Sequence, residues 1–425
     1  MLSRYVLVVF IGFFYLGLNA QTEKAKEVTA VLCSDSLFGR GYVNNGVNKA
    51  AAYLISEFEQ SGLKPFFGDE YFQTFDFNVN TFPGKMKVMI NEKELEPGKD
   101  FVVDHNSGGF TGELNFTYID TTYLKEPSVK TTVMADIGTG AANAVFVDTR
   151  GATVSQEAEL AYNLRELAKL VPVVMTTGQK FIWGVGRKQL NNPVVFIKEG
   201  VIKDEKEMNV ELDIEALYVT NFECMNVAGH IPSKKNPEAK TIVFTAHYDH
   251  LGGMGNETYF PGANDNASGT AMLISLADYF RENPIEDYHL VFVAFAGEEA
   301  GLVGSKHFVG INSLPPRNIE FLINLDIMGS GEEGITAVNG LIHKKKFKML
   351  KKINKKGDYL PQIKARGETA NSDHYPFHQK DVPCFFIYTM GPNKNYHDIY
   401  DKQEELSFAA YDEIVHLIAD FVEKL

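Results

Sequence analysis

Apolar residues recur at three- and four-residue steps within Thr22–Leu63, through Val47, Ala51, Leu54, Ile55 and Phe58, and stop at Gly62, which predicts one packed helix there. From about Phe82 to Leu217 the pattern shortens to β-rich runs at Met86–Ile90, Glu113–Ile119, Asn143–Val147, Val171–Thr176 and Asn192–Ile197. These predict a smaller β-rich domain inserted over residues 82–217. Beyond Thr220, near-continuous apolar runs at Thr241–Ala246, Leu290–Ala296, Phe321–Ile327 and Pro383–Thr389 alternate with helical patterns at Ala267–Arg281, Gly304–Val309, Ile342–Asn354 and Phe408–Glu423. Strands apolar on both faces that alternate with helices predict an α/β fold: a mixed, mainly parallel sheet sandwiched by helices. Residues 21–81 would form its first part and residues 218–425 its main part.

The amino terminus adds a targeting reading. Arg4 precedes an apolar stretch from Tyr5 to Leu18, and Asn19-Ala20-Gln21 follows, a pattern that suits a signal peptide over residues 1–20 cleaved after Ala20. A membrane anchor is the rival reading, but the run is shorter than the ~20 residues a spanning helix needs. The expectation is a periplasmic or extracellular protein with no membrane association once the signal is removed.

With 44% apolar and 23% charged residues the chain can bury a large core, and its net charge of -14, with a pI near 5.3, repels phosphate backbones and anionic lipids. Nucleic acid is therefore not an expected partner. Lys344, Lys345, Lys346, Lys348, Lys351 and Lys352 interleave with Phe347, Leu350 and Ile353, which reads as one solvated helix face. Cys33, Cys224 and Cys384 allow at most one bridge and form no Cys-x-x-Cys pair, so thiolate metal binding is not expected.

Open α/β sheets bind ligands beyond the carboxyl ends of their strands. There the sequence places His247 and Asp249 after the first run, Glu298 and Glu299 after the second, Asp326 at the end of the third and His397 a short loop after the fourth. Asp265 sits just before the helix that starts at Ala267. Two imidazoles and three carboxylates are donors that zinc accepts, and two metal ions sharing Asp265 would use the set without remainder. Adjacent residues leaving a strand point apart, so one of Glu298 and Glu299 can bind metal while the other takes a proton. Asp249 reads as the acid that fixes the His247 imidazole. His105 stands alone and is expected at the surface.

The segments His247-Tyr-Asp249, Asn264-Asp265-Asn-Ala-Ser-Gly, Ala296-Gly-Glu298-Glu299-x-Gly-Leu-x-Gly-Ser, Asn324-Leu-Asp326 and Tyr396-His397-x-x-x-Asp401 together resemble metallopeptidase family 28. That family includes aminopeptidases and glutamate carboxypeptidases of the zinc-peptidase fold. Gly39-Arg-Gly41 and Ser372-Asp373-His374-x-Pro376-Phe377 resemble it more weakly. The resemblance implies two zinc ions per chain, one held by His247, Asp265 and Asp326, the other by Asp265, Glu299 and His397, with Glu298 as general base. It further implies that Tyr396 helps stabilise an oxyanion, that Asp401 orients His397, and that the Ser372 segment supports the site. The β-rich segment resembles the protease-associated insertion of larger members.

These features predict a metallo-exopeptidase acting on peptide substrates, in the first place an aminopeptidase. A carboxypeptidase would need a cationic group such as Arg366 for a terminal carboxylate. Glutaminyl cyclisation with a single zinc and a metal-free binding module are the other rivals. Side-chain preference and oligomeric state leave no mark in the sequence.

Overall fold

The four apolar runs lie side by side at the centre of a nine-stranded sheet in the computed structural model, which describes residues 20–202 and 208–425. The predicted signal segment falls outside the described residues except for Ala20, which begins a helix. Strands His289–Phe295, Thr241–His247, Ile319–Leu325 and Cys384–Met390 run parallel in that spatial order. Leu217–Ile231 closes one side antiparallel to His289–Phe295, and Gly334–Val338 closes the other antiparallel to Cys384–Met390. Every residue of Thr241–His247 is buried, as a strand covered on both faces requires. Helices Ala20–Leu32, Gly46–Gln60, Gly269–Glu282 and Tyr411–Val422 share one core with one sheet face. On the other face, Phe308 of Val303–Gly310 and Phe377 of His374–His378 pack with Val243, Val291 and Leu322. The mixed, mainly parallel sheet is thus sandwiched by helices.

The amino-terminal pattern departs from the single helix expected. Two helices, Ala20–Leu32 and Gly46–Gln60, are separated by a turn in which Phe38, Gly39, Arg40, Asn44 and Asn45 all have positive φ. Gly41 in this turn lies so close to Gly252 that an added Cβ would stand 2.2 Å from the Gly252 Cα. The glycine admits backbone contact between the turn and the loop that follows His247.

Residues 86–214 form two further sheets. One contains Phe101–Val103, Val194–Lys198, Val173–Thr177, Ala144–Val147 and Phe116–Ile119, the last four parallel; the other is antiparallel. Two helices here, Pro127–Thr139 and Val154–Leu167, were not expected from the β-rich pattern. In Pro127–Thr139 only Val133 is buried, so no apolar stripe marks it. His105 is also corrected: it is partly buried, its carbonyl accepts from Asn80 Nδ2, and burial lowers its imidazole pKa.

Candidate metal centre

The strand ends converge as their spacing suggested. Thr241–His247 ends in His247, Asp326 directly follows Ile319–Leu325, and Glu298 and Glu299 follow His289–Phe295 by a short turn. Asp265 comes from the loop before Gly269–Glu282, and His397, with φ +52°, from the loop after Cys384–Met390. His247 Nε2 lies 3.3 Å from Asp265 Oδ1 and 3.5 Å from Asp326 Oδ1. His397 Nε2 lies 3.1 Å from Asp265 Oδ2 and 3.3 Å from Glu299 Oε2. Asp265 therefore turns one oxygen to each of two nitrogen-and-oxygen clusters. Donors about 2.05 Å from a tetrahedral cation stand about 3.3 Å apart, and the four separations bracket that value. Asp326 Oδ1 is buried and takes no protein hydrogen bond, an arrangement that costs stability unless a cation faces it. The residues present fit divalent cations.

The imidazoles are held by what lies behind them. His247 Nδ1 bonds to the Asp249 carbonyl at 3.2 Å, and His397 Nδ1 bonds to the Trp183 carbonyl at 2.9 Å. A carbonyl only accepts, so Nδ1 carries a hydrogen in both rings, and Nε2 is the nitrogen left to face the carboxylates and to ligate a cation bound among them. The Asp249 carboxylate is farther from His247 Nδ1, at 3.7 Å; it accepts from Tyr42 Oη and from the backbone amides of Glu298 and Glu299. Asp401 does not orient His397 as the resemblance implied. Its carboxylate accepts the Asn264 and Asp265 amides at 2.9 and 3.0 Å and so fixes the loop that presents Asp265.

Three further contacts support the site, one of them from the Ser372 segment that the resemblance implied would do so. His250, fully buried, bonds Glu299 Oε1 through Nδ1 at 2.8 Å. Arg40, also fully buried, donates to the carbonyls of Leu32, Tyr248, Pro261 and Gly262, tying the His247 loop to the Asp265 loop. Ser372 Oγ donates to Asp326 Oδ2 at 2.9 Å and accepts from Asn324, which in turn accepts from Thr245. Tyr396 stacks on His397 with ring centroids 4.0 Å apart and is 43% exposed, which leaves its hydroxyl reachable. Arg366 is exposed and donates to the Tyr388 hydroxyl.

Crowded charge sets the proton affinities. Burial alone would lower both imidazoles, but Glu298, Asp326 and Asp265 hold His247 well above its ordinary value, and Glu299 and Asp265 raise His397 to about 11. Burial works to raise Asp265 and Glu299, yet His247 and His397 hold Asp265 well below the carboxylate range, and His397 with His250 brings Glu299 to about 2. Glu298 is pushed well up by burial, with Glu299, Asp373 and Asp326 adding to the effect. Two neighbouring carboxylates with opposed shifts suit different tasks.

Residues 226–422 match the model of peptidase family M28. The chain is 31% identical over 199 residues to aminopeptidase YwaD of Bacillus subtilis, covering 45% of this chain and 41% of that protein. It is 26% identical over 197 residues to a probable leucine aminopeptidase of Arthroderma otae, covering 44% and 51%. The chain thus spans about half or less of the length of these curated relatives. Along nearly its whole length it shares the fold of BSAP, a zinc aminopeptidase from Bacillus subtilis, with TM-score 0.68, 18% identity and coverage of 95% and 94%. It is likewise similar in fold to a peptidase M28 precursor from Shewanella amazonensis, with TM-score 0.64, 15% identity and coverage of 96% of each chain. The segment that matches the model of peptidase family M28, residues 226–422, holds all five candidate metal ligands.

Proposed function

We propose that this chain is an exported zinc-dependent exopeptidase, an aminopeptidase that removes amino-terminal residues from peptides. The observation that carries the reading is the division of Asp265 between two donor clusters, 3.3 Å from His247 and 3.1 Å from His397. His247, Asp265 and Asp326 would hold one zinc ion, and Asp265, Glu299 and His397 a second. Bound there, zinc supplies Lewis-acid polarisation of a carbonyl and lowers the pKa of a water. Glu298, its proton affinity raised by burial, takes a proton from the attacking water and passes it to the leaving amine nitrogen. The Tyr396 hydroxyl donates to the oxygen on which negative charge develops. Asp249 keeps the backbone of Glu298 and Glu299 in register with His247. A cavity of about 330 Å³ is lined in part by Asn264 and Ile327, the sequence neighbours of Asp265 and Asp326, with Lys364 and Tyr388, and would take part of the substrate.

The test is amino-acid release from a mixed peptide set, each sequence offered with a free and an acetylated amino terminus. Trimming of the free amino termini alone supports the reading, and release from carboxyl ends of both forms contradicts it. We further propose that residues 82–217 are a protease-associated-type insertion and that residues 1–20 are a signal peptide. Among the described residues no helix is long and apolar enough to cross a membrane, which is compatible with export. An intact mass of secreted protein beginning at Met1 would refute the signal peptide.

A further inference from the structure

His397 differs from the other candidate ligands in what holds it. Its support comes from a segment 214 positions earlier, in the loop between strands Val173–Thr177 and Val194–Lys198. Trp183 and His397 bond twice: the Trp183 carbonyl accepts from His397 Nδ1 at 2.9 Å, and the Trp183 amide donates to the His397 carbonyl at 3.0 Å. His397 has φ +52°, a left-handed conformation that a side-chain-bearing residue keeps only where its surroundings enforce it. The paired bonds enforce it. Trp183 is itself locked, its indole Nε1 donating to the Val103 carbonyl at 2.8 Å and its ring stacked on Phe260 with centroids 4.6 Å apart. Lys180 closes the same junction, pairing with Asp398 at 2.6 Å and donating to the Lys394 carbonyl at 2.8 Å.

We infer that the segment around Trp183 and Lys180 is a positioning element for metal binding at the His397 side of the site, so that this sheet-bearing region sets the affinity of one metal position and leaves the other untouched. Without the Trp183 carbonyl, His397 is free to take the other tautomer or to swing, and Nε2 no longer faces Asp265 and Glu299. His247 is oriented from within its own strand-end loop, by the Asp249 carbonyl, and gains nothing from this segment.

The inference rests on the two-metal reading, and the test separates the two. Zinc is titrated by calorimetry into the full chain stripped with chelator, for wild type, Lys180→Met and Trp183→Leu, with circular dichroism as a check on folding. Losses of metal affinity on removing supports of ligating histidines are typically tenfold to a hundredfold. The expectation is one of the two equivalents weakened by about tenfold or more in Trp183→Leu and in the same direction in Lys180→Met, with the other within twofold of wild type. Should Trp183→Leu fail to fold, Lys180→Met, whose side chain is 46% exposed, decides the matter. Wild-type affinity at both equivalents overturns the inference, as does equal weakening of both. Wild type that binds fewer than two equivalents overturns the two-metal reading and this inference together.

Discussion

Arg40 offers a test of how the metal centre is built that does not touch a ligand. Its guanidinium is wholly buried and donates from Nε to Tyr248 O at 2.8 Å, from Nη1 to Leu32 O at 2.8 Å and Pro261 O at 2.6 Å, and from Nη2 to Gly262 O at 2.6 Å. Arg40→Met keeps an unbranched apolar stem and removes all four bonds. The Gly262 carbonyl still accepts from the Ala267 amide, which leaves three carbonyls stripped of this donor. At about 1–2 kcal/mol for each, offset in part because no charge need be desolvated, the loss is about 3–5 kcal/mol. That is a large share of the roughly 5–15 kcal/mol that holds a domain folded. The assay is denaturant unfolding of stripped protein, followed by fluorescence of Trp183, the single tryptophan, beside His397. A variant within about 0.5 kcal/mol of wild type, the range of ordinary surface changes, refutes the reasoning.

Two further outcomes are expected. Ser372→Ala strips Asp326 Oδ2 of its donor and breaks the chain from Thr245 through Asn324, so zinc affinity at the His247 side should fall about tenfold, read by competition with a chelating dye, while the fold persists. Burial, aided by His378, lowers His374 to about 4 from an ordinary 6.5, so the native state favours its neutral form. That stabilisation is complete above pH 6.5 and is lost as pH falls through 4, about 3 kcal/mol in all. His374→Leu should flatten the fall of unfolding free energy between pH 6.5 and 4, and an unchanged slope would contradict the assignment.

The carboxyl half of the fold was legible because its strands are buried on both faces and therefore read as unbroken apolar runs. The rule that ligands gather beyond strand ends then found His247, Glu298, Glu299, Asp326 and His397. What escaped was the support behind them. Asp401 lies four residues from His397 yet grips the Asp265 loop, while the residue that orients His397 is Trp183, acting through a backbone carbonyl that leaves no side-chain signature. His250 escaped because its partner Glu299 lies in the turn after the neighbouring strand, 49 positions away. Arg40 acts on four carbonyls whose closeness only tertiary folding creates. Helix Pro127–Thr139 escaped because a single buried Val133 makes no stripe.

The most direct test of the central claim is zinc content and turnover measured together on wild type and Glu298→Gln, using peptides with free amino termini. The account predicts about two zinc ions in both proteins and a loss of turnover of about a hundredfold to ten-thousandfold in Glu298→Gln. Full activity in Glu298→Gln, or a wild type that turns over peptide without binding zinc, would contradict it.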